Sequence, residues 1–418
     1  MGLDLQETFR ALKHRNYRLF YFGHGMSLIG TWMQRTATIW LVYRLTQSPE
    51  ILGNVDFIGQ IAGVVLIPVA GVLLDRWNRY RVILWTQVLS MVQALALAAL
   101  VFTGTVAVWH IVVLNTVLGM INSFDMPARQ AFISQIVEDK DDLANAIALN
   151  SAMFNGARII GPSIAGLAIA AFGEGLCYLF NGLSYIAILG ALLAMRLTVP
   201  QAVVVSPDNI IGGLAEGCTY TYHSLPIRMV LLLLALLSLV GFPVMPLMPL
   251  FAGQVLGGGP EILGWLMAAF GMGALVGTIC LAARKTVVGI EKVIAINSVV
   301  FAVGLIAFSL STVLWLSLPI AFIMGFGLIA QMASTNTIIQ SLVDEDKRGR
   351  VMSLYVLSFG GITPIGSLFA GHAAGMIGTP ATFFISGMLA LAGAIVFAWN
   401  LPAWRIAACP IYSKKGLI

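Results

Sequence analysis

Five charged side chains of this sequence, Arg35, Asp56, Asp125, Arg129 and Arg158, fall inside long apolar runs. A charge near the middle of a hydrocarbon layer costs about 2.5 to 3.5 kcal/mol on insertion scales, so each needs a partner, water or a task. The chemistry open to them is proton exchange. Desolvation makes a carboxylate readier to bind a proton and an approaching guanidinium makes it let go, so one acid can switch its charge within a cycle. By depth along the runs, Asp125 and Arg158 make a central pair and Arg35 and Asp56 an outer one. Arg129 lies nearer a helix end, where its stem can instead carry the charge out to lipid phosphates. In this reading Arg35 or Arg158 attracts an anionic group of a bound compound. Both pairs keep a second reading, as buried salt bridges that fix helix packing.

Neighbouring polar residues share faces with these charges. Projected at about 100° per residue, His24, Ser27, Thr31, Gln34, Arg35 and Thr38 form one stripe. Asn115, Asn122, Asp125 and Arg129 form a second, and Ser151, Asn155, Arg158 and Pro162 a third. The candidate proton and substrate pathway is therefore Asp125, Arg158, Arg35, Asp56, Arg129, Asn122, Asn155 and Gln34.

The elements that carry these stripes follow from composition. Of 418 residues, 59% are hydrophobic and 10% charged, and the mean hydropathy is +0.92. No soluble shell covers so apolar a chain, so lipid is its solvent. The apolar runs last about 20 residues instead of alternating over about 10, which selects helices over a barrel. Helices are expected near 17–45, 50–74, 81–102, 109–136, 143–172 and 175–197, then near 226–255, 261–283, 290–311, 313–341, 350–376 and 379–403. The domain reading is an amino-terminal six-helix bundle over 1–198, a cytoplasmic linker with a short surface helix over 199–225, and a carboxyl-terminal bundle over 226–418. Of the 23 Lys and Arg, 19 fall on one side of these spans, which makes that side, with both termini, cytoplasmic. The polar, basic first sixteen residues carry no cleavable signal. The net charge of +5 orients the chain and does not point to nucleic acid. Cys177, Cys218, Cys280 and Cys409 lie too far apart for a metal or disulfide framework.

The halves repeat. Gly161, Ala165, Gly166, Ala168, Gly173 and Gly182 align at one constant offset with Gly366, Ala370, Gly371, Ala373, Gly378 and Gly387, each set following a charged loop, EDKDD or DEDKRGR. Two parallel repeats place a binding site near mid-membrane, between the halves. In the second half, Pro243, Pro246, Pro249, Gly360, Gly361 and Pro364 read as kinks and hinges. Met245, Met248, Phe251, Met267, Phe270 and Met272 offer either packing or an adaptable apolar wall.

The loop after the second helix, with Gly71, Leu73, Asp75, Arg76, Asn78, Arg79, Tyr80 and Arg81, resembles the GxLxDRxGRR loop of the major facilitator superfamily. Asn78 stands for a glycine and Tyr80 for a basic residue. The resemblance implies a cytoplasmic gate of Gly71, Asp75, Arg76, Arg79 and Arg81, in which an acid facing guanidiniums locks one state. Gly156, Gly161, Pro162 and Gly166 are similar to the glycine and proline motif of the family's exporters. Trp32-Met33-Gln34-Arg35, the run 39–46, Asp125-Met126-Pro127-Ala128-Arg129 and the run 213–217 resemble the bacterial branch of enterobactin exporters and multidrug efflux proteins.

That resemblance implies an all-α membrane protein with twelve transmembrane helices in two pseudo-symmetric six-helix bundles, whose first, fourth and fifth helices line a central cavity. It implies a secondary active transporter in the bacterial inner membrane, acting as a proton antiporter that exports a small amphipathic siderophore or drug by alternating access. A lipid-like substrate flippase and a non-transporting sensor on the same fold are the alternatives. The expected partners are the small-molecule substrate, protons and membrane lipids, with the chain a monomer. No Walker loop, HExxH or nucleophile elbow is present, so neither enzyme activity, cofactor nor metal is expected.

Overall fold

The computed structural model describes residues 9–137, 139–196, 210–284, 286–345 and 347–415, apart from the side chains at 68, 72, 75, 140, 144, 210–215 and 414. The chain forms two compact units, Met1–Leu45 with Ile58–Pro207 and Thr46–Phe57 with Asp208–Ile418.

Uninterrupted apolar runs become long helices because lipid leaves the backbone no other partner. The first unit is built on α1 (Arg15–Thr46), the part of α2 (Pro49–Arg76) from residue 58 on, α3 (Arg79–Phe102), α4 (Val108–Ile136), α5 (Leu143–Phe172) and α6 (Glu174–Ala194), the start of α2 belonging to the second unit. The second holds α7 (Ile210–His223), α8 (Leu225–Val240), α9 (Val244–Leu250), α10 (Pro260–Ala282), α11 (Ile290–Leu310), α12 (Leu314–Leu342), α13 (Arg348–Val356), α14 (Ile362–Ile377), α15 (Thr379–Trp399) and α16 (Leu401–Lys414). With α8–α9 and α13–α14 each counted as one broken span, twelve long helical spans result, the number expected from the sequence. Among the described residues, eleven helices are long and apolar enough to cross a membrane. The twelfth, α1, has the length, 32 residues, but its polar stripe lowers its hydropathy.

The two breaks have local causes. Proline lacks an N–H and its ring pushes the carbonyl four residues earlier out of line. Pro364 thereby disturbs Gly360, which lies in a π-helical turn, Leu357–Gly361, between α13 and α14. In the other break, at 241–243 between α8 and α9, Pro246 likewise stands four residues after Phe242, and a π-helical turn, Phe251–Val255, follows α9. Of the Met and Phe residues read as either packing or a wall, Met248, Phe251, Met267 and Phe270 are buried as packing residues are, while Met272 is exposed. Phe251 stacks on Phe308 at 4.3 Å and on Phe383 at 5.8 Å.

The internal repeat is visible in backbone angles. Gly173 between α5 and α6 has φ 79°, and its counterpart Gly378 between α14 and α15 has φ 86°. Any side chain would be strained there. Exposed Trp109, Trp315 and Trp399 stand at helix ends, where indoles favour the membrane interface.

Each unit's opening segment docks on its own charged loop. In the first, Asp142 holds Arg10 at 3.0 Å, Lys13 at 2.7 Å and His14 at 2.8 Å. Ala11 N–H donates to Asn145 Oδ1 at 3.0 Å, and Tyr17 OH to the Ala146 carbonyl at 2.7 Å. In the second the polarity is reversed. Glu216 of α7 takes Lys347 and, at 2.5 Å, Arg350, while Tyr220 OH donates to Asp344 at 3.2 Å. Helix α7 falls where the short surface helix of the linker is expected and is tied to α13, while residues 199–209 of that linker lie outside the described residues.

Candidate functional site

Asp125 is buried in α4 and all its contacts stay within the first unit. Its Oδ2 meets Arg129 at 2.6 Å, and its Oδ1 accepts from Thr86 Oγ1 at 2.7 Å and from Gln87 Nε2 at 2.8 Å, both on α3. Arg129 continues to α1, where its Nη1 lies 2.7 Å and 3.0 Å from the two ring nitrogens of buried His24. A nitrogen that accepts from a guanidinium is unprotonated, so this arrangement is carboxylate, guanidinium, neutral imidazole. Protonating either end removes a partner of Arg129.

The pairing of Asp125 with Arg158 is therefore corrected. Residues four apart on a helix are neighbours, and Arg129 reaches the acid from one turn away. Arg158 instead places its guanidinium carbon 5.6 Å from the centre of the Trp32 ring, and Arg35 places its own at 5.5 Å from the same ring. Arg35 is exposed and forms no ion pair among the described residues. Phe154 meets Trp32 edge to face at 5.8 Å. Asp56 falls in the second unit, where Ser367 Oγ donates to it at 2.6 Å.

Gln34 does not face an aqueous path. It is 2% exposed, donates to Gln93 Oε1 at 2.9 Å and accepts from Asn181 Nδ2 at 2.7 Å, which ties α1 to α3 and α6. Its stripe is real, but part of it is turned into the bundle. Asn122 is exposed, and half-buried Asn155 donates to the Ser151 carbonyl at 2.9 Å.

In the gate segment, α2 ends at Arg76 and α3 begins at Arg79. Asn78, the departure from the family pattern, caps α3 by accepting from the Arg81 N–H at 3.3 Å. Tyr80, the other departure, donates to the Leu192 carbonyl at 3.2 Å. Gly71, Arg76 and Arg81 are exposed; the Asp75 side chain, and with it the lock expected there, lies outside the described residues. Of the exporter-like motif, Gly161, Pro162 and Gly166 are buried and Gly156 is half-buried. A Cβ on Gly161 would stand 2.5 Å from Trp32 Cβ, so this glycine lets α5 lie against the very turn of α1 that carries Trp32.

His24, Thr86 and Gln87 were the site residues missing from the sequence-based set. Thr86, Gln87, Ser90 and Gln93 recur along one otherwise apolar helix, and that further polar stripe is the signal for two of them.

Comparison with known proteins fits this architecture. The family profile described as transmembrane secretion effector matches residues 6–412. The staphyloferrin A transporter of Staphylococcus aureus is 24% identical over 91% of this chain and 95% of its own length. The macrolide efflux protein A of Streptococcus pyogenes is 22% identical, covering 92% and 96%, and the multidrug efflux pump Tap of Mycolicibacterium fortuitum is 25% identical, covering 93% and 95%. Among solved structures, a peptide transporter POT superposes with a TM-score of 0.74 at 15% identity, covering 94% of this chain and 95% of that one.

Proposed function

The chain belongs to the transmembrane secretion effector family, a multi-pass transporter branch of the major facilitator superfamily, and on that premise we propose that it is a proton-coupled exporter of a small amphipathic compound. The observation that carries this reading is the buried chain Asp125, Arg129, His24, which links α4 to α1 inside the first unit. Arg129 is shared between an acid and a base, so proton occupancy decides which of them it serves. A proton on Asp125 Oδ2 displaces the Arg129 N–H and frees the guanidinium; deprotonation draws it back. A helix contact that changes with each proton is what coupling to a gradient requires.

Siderophores and drugs are the first cargo candidates, because the relatives include a staphyloferrin A transporter and efflux proteins for macrolides and multiple drugs. The cell membrane of a bacterium, with export from the cytoplasm and both termini on that side, completes the proposal.

The test is reconstitution in liposomes with an imposed pH gradient and three probes: staphyloferrin A, erythromycin and a fluorescent phosphatidylcholine. The account expects the gradient to drive a soluble probe and leave the lipid in place. Movement of the lipid alone would establish a flippase, and movement of none under any gradient would remove the exporter reading.

A further inference from the structure

We infer that the second unit holds a mid-membrane site for a small monovalent cation, sodium, formed by neutral side-chain oxygens of Ser238, Asn297, Gln331 and Ser334.

Three helices of this unit, α8, α11 and α12, meet at Phe301 of α11. A Cβ on Gly241, just past the end of α8, would stand 2.7 Å from the Phe301 ring, and one on Gly327 of α12 would stand 2.7 Å from the Phe301 amide nitrogen. Successive spans alternate in direction, so α8 and α11 run one way and α12 the other. One turn from Phe301, toward the same end of the bundle, each helix carries a polar residue. Ser238 lies three residues before Gly241, Asn297 four before Phe301, and Gln331 four after Gly327. Residues three or four apart share a face, so these three side chains come to one level around the same helix junction. Ser334, three residues beyond Gln331, stands on the adjoining turn of α12. Ser238, Gln331 and Ser334 are wholly buried, and Asn297 is 6% exposed.

Their hydrogen bonds point to an ion. Asn297 Nδ2 donates to the Val293 carbonyl at 2.9 Å and Gln331 Nε2 to Thr335 Oγ1 at 3.1 Å, so each amide spends its nitrogen on its own helix. Gln331 Oε1, Ser238 Oγ and Ser334 Oγ are buried with no hydrogen-bond partner. A hydroxyl within a span can bond back to a carbonyl one turn earlier, as Ser298 does to Ile294 at 2.8 Å and Thr337 to Ala333 at 3.0 Å. Ser238 and Ser334 do not, although an unmade bond in hydrocarbon is costly. A water needs room for its own sphere, and next to no water-sized space touches these three oxygens. A bare cation is smaller and takes several lone pairs at once. Hard cations prefer oxygen ligands, and neutral carbonyl oxygens can replace an ion's hydration shell inside a membrane. With no acid among the four residues, a single charge is favoured over a double one.

The test is the unfolding midpoint of the full-length protein in detergent, titrated with sodium chloride against choline chloride at constant ionic strength, with potassium chloride as a third arm. An ion that binds only the folded state raises the midpoint. Sodium is expected to raise it saturably, potassium to need roughly tenfold more, and choline to leave it unchanged. Ser238→Ala is expected to weaken the sodium response roughly tenfold or more. In choline the same variant should unfold no earlier than wild type, because it loses a hydroxyl that had no partner. Gln331→Met should also lose the sodium response; if it fails to give a monodisperse protein, Ser238→Ala decides. Equal midpoints in sodium and choline, equal potency of sodium and potassium, or a wild-type sodium response in Ser238→Ala overturns the inference.

Discussion

Arg129 lies one helical turn beyond Asp125 and holds it at 2.6 Å while its other nitrogen reaches His24 at 2.7 Å. One guanidinium thus joins a buried acid of the first unit to a base on another helix. The acid is satisfied on both oxygens, yet one of those bonds is to a group with an alternative partner. That is the difference between a structural salt bridge and a switch: a structural pair has nowhere else to go.

Removing the guanidinium leaves Asp125 buried beside two neutral donors. Breaking a buried pair from one side costs roughly 3 to 5 kcal/mol, and the effect here should sit at the low end because the Arg129 side chain is 19% exposed. Arg129→Gln should lower the thermal unfolding midpoint measured by intrinsic fluorescence, and adding Asp125→Asn should restore most of it. A double variant less stable than the single would show that the two residues do not act as a pair.

Gln34 should behave as a packing residue. Replacing it with leucine leaves the Asn181 amide and the Gln93 oxygen without their partner, a loss of about 1 to 3 kcal/mol. The unfolding midpoint should fall while the transport rate per folded molecule stays near wild type. A rate that collapses at unchanged stability would put Gln34 back in the pathway.

The docked amino-terminal turn should tolerate a wide pH range. Hydrogen bonds from Lys13 and His14 hold the Asp142 carboxyl below its ordinary value of 3.8, and Asp142 raises Lys13 above 10.5. The acid's contribution is present above its ordinary value and is lost as pH falls through the lowered one. The lysine's is present below its ordinary value and is lost as pH rises through the raised one. Docking should therefore persist from about pH 4 to about pH 10. Hydrogen exchange at the Ala11 amide, corrected for intrinsic rate, should show flat protection across that window and weak protection in Asp142→Asn. Protection that fell well inside those limits would contradict this.

Within the second unit, the segment Thr46–Phe57 rests on α14 through glycines. A Cβ on Gly371 would stand 2.7 Å from the Pro49 carbonyl and 2.9 Å from Gly53 Cα. Gly371→Leu should push that segment off. A single cysteine at Ser48 in a background lacking the four native cysteines should then react several-fold faster with a charged maleimide. An unchanged labelling rate would mean that glycine fit does not hold the segment.

Much of this was legible in the sequence because lipid imposes a simple rule: apolar length makes a span, and charge within a span makes a site. The boundaries of α5, Leu143–Phe172, followed from the run 143–172, and the repeat found from Gly173 and Gly378 returned as matched backbone turns. Partner choice was not legible. Depth along a helix cannot say which way a side chain turns, so Asp125 was assigned to Arg158 across the bundle when Arg129 was one turn away. Gln34 shared a face with Arg35 but points inward, because a stripe about 100° wide spans both a packed and an open edge. His24 was seen on its stripe, yet its role depended on the reach of Arg129 from another helix, which spacing within one helix does not encode.

The central claim is that Asp125 carries the coupling proton. In liposomes holding Asp125→Asn, with the probe that moves under a pH gradient in the wild type, gradient-driven flux should fall to the protein-free background while exchange of labelled for unlabelled probe, without a gradient, continues. Asparagine keeps the size and the bonds from Thr86 and Gln87 but cannot change charge. Gradient-driven flux at the wild-type rate in that variant would contradict the account.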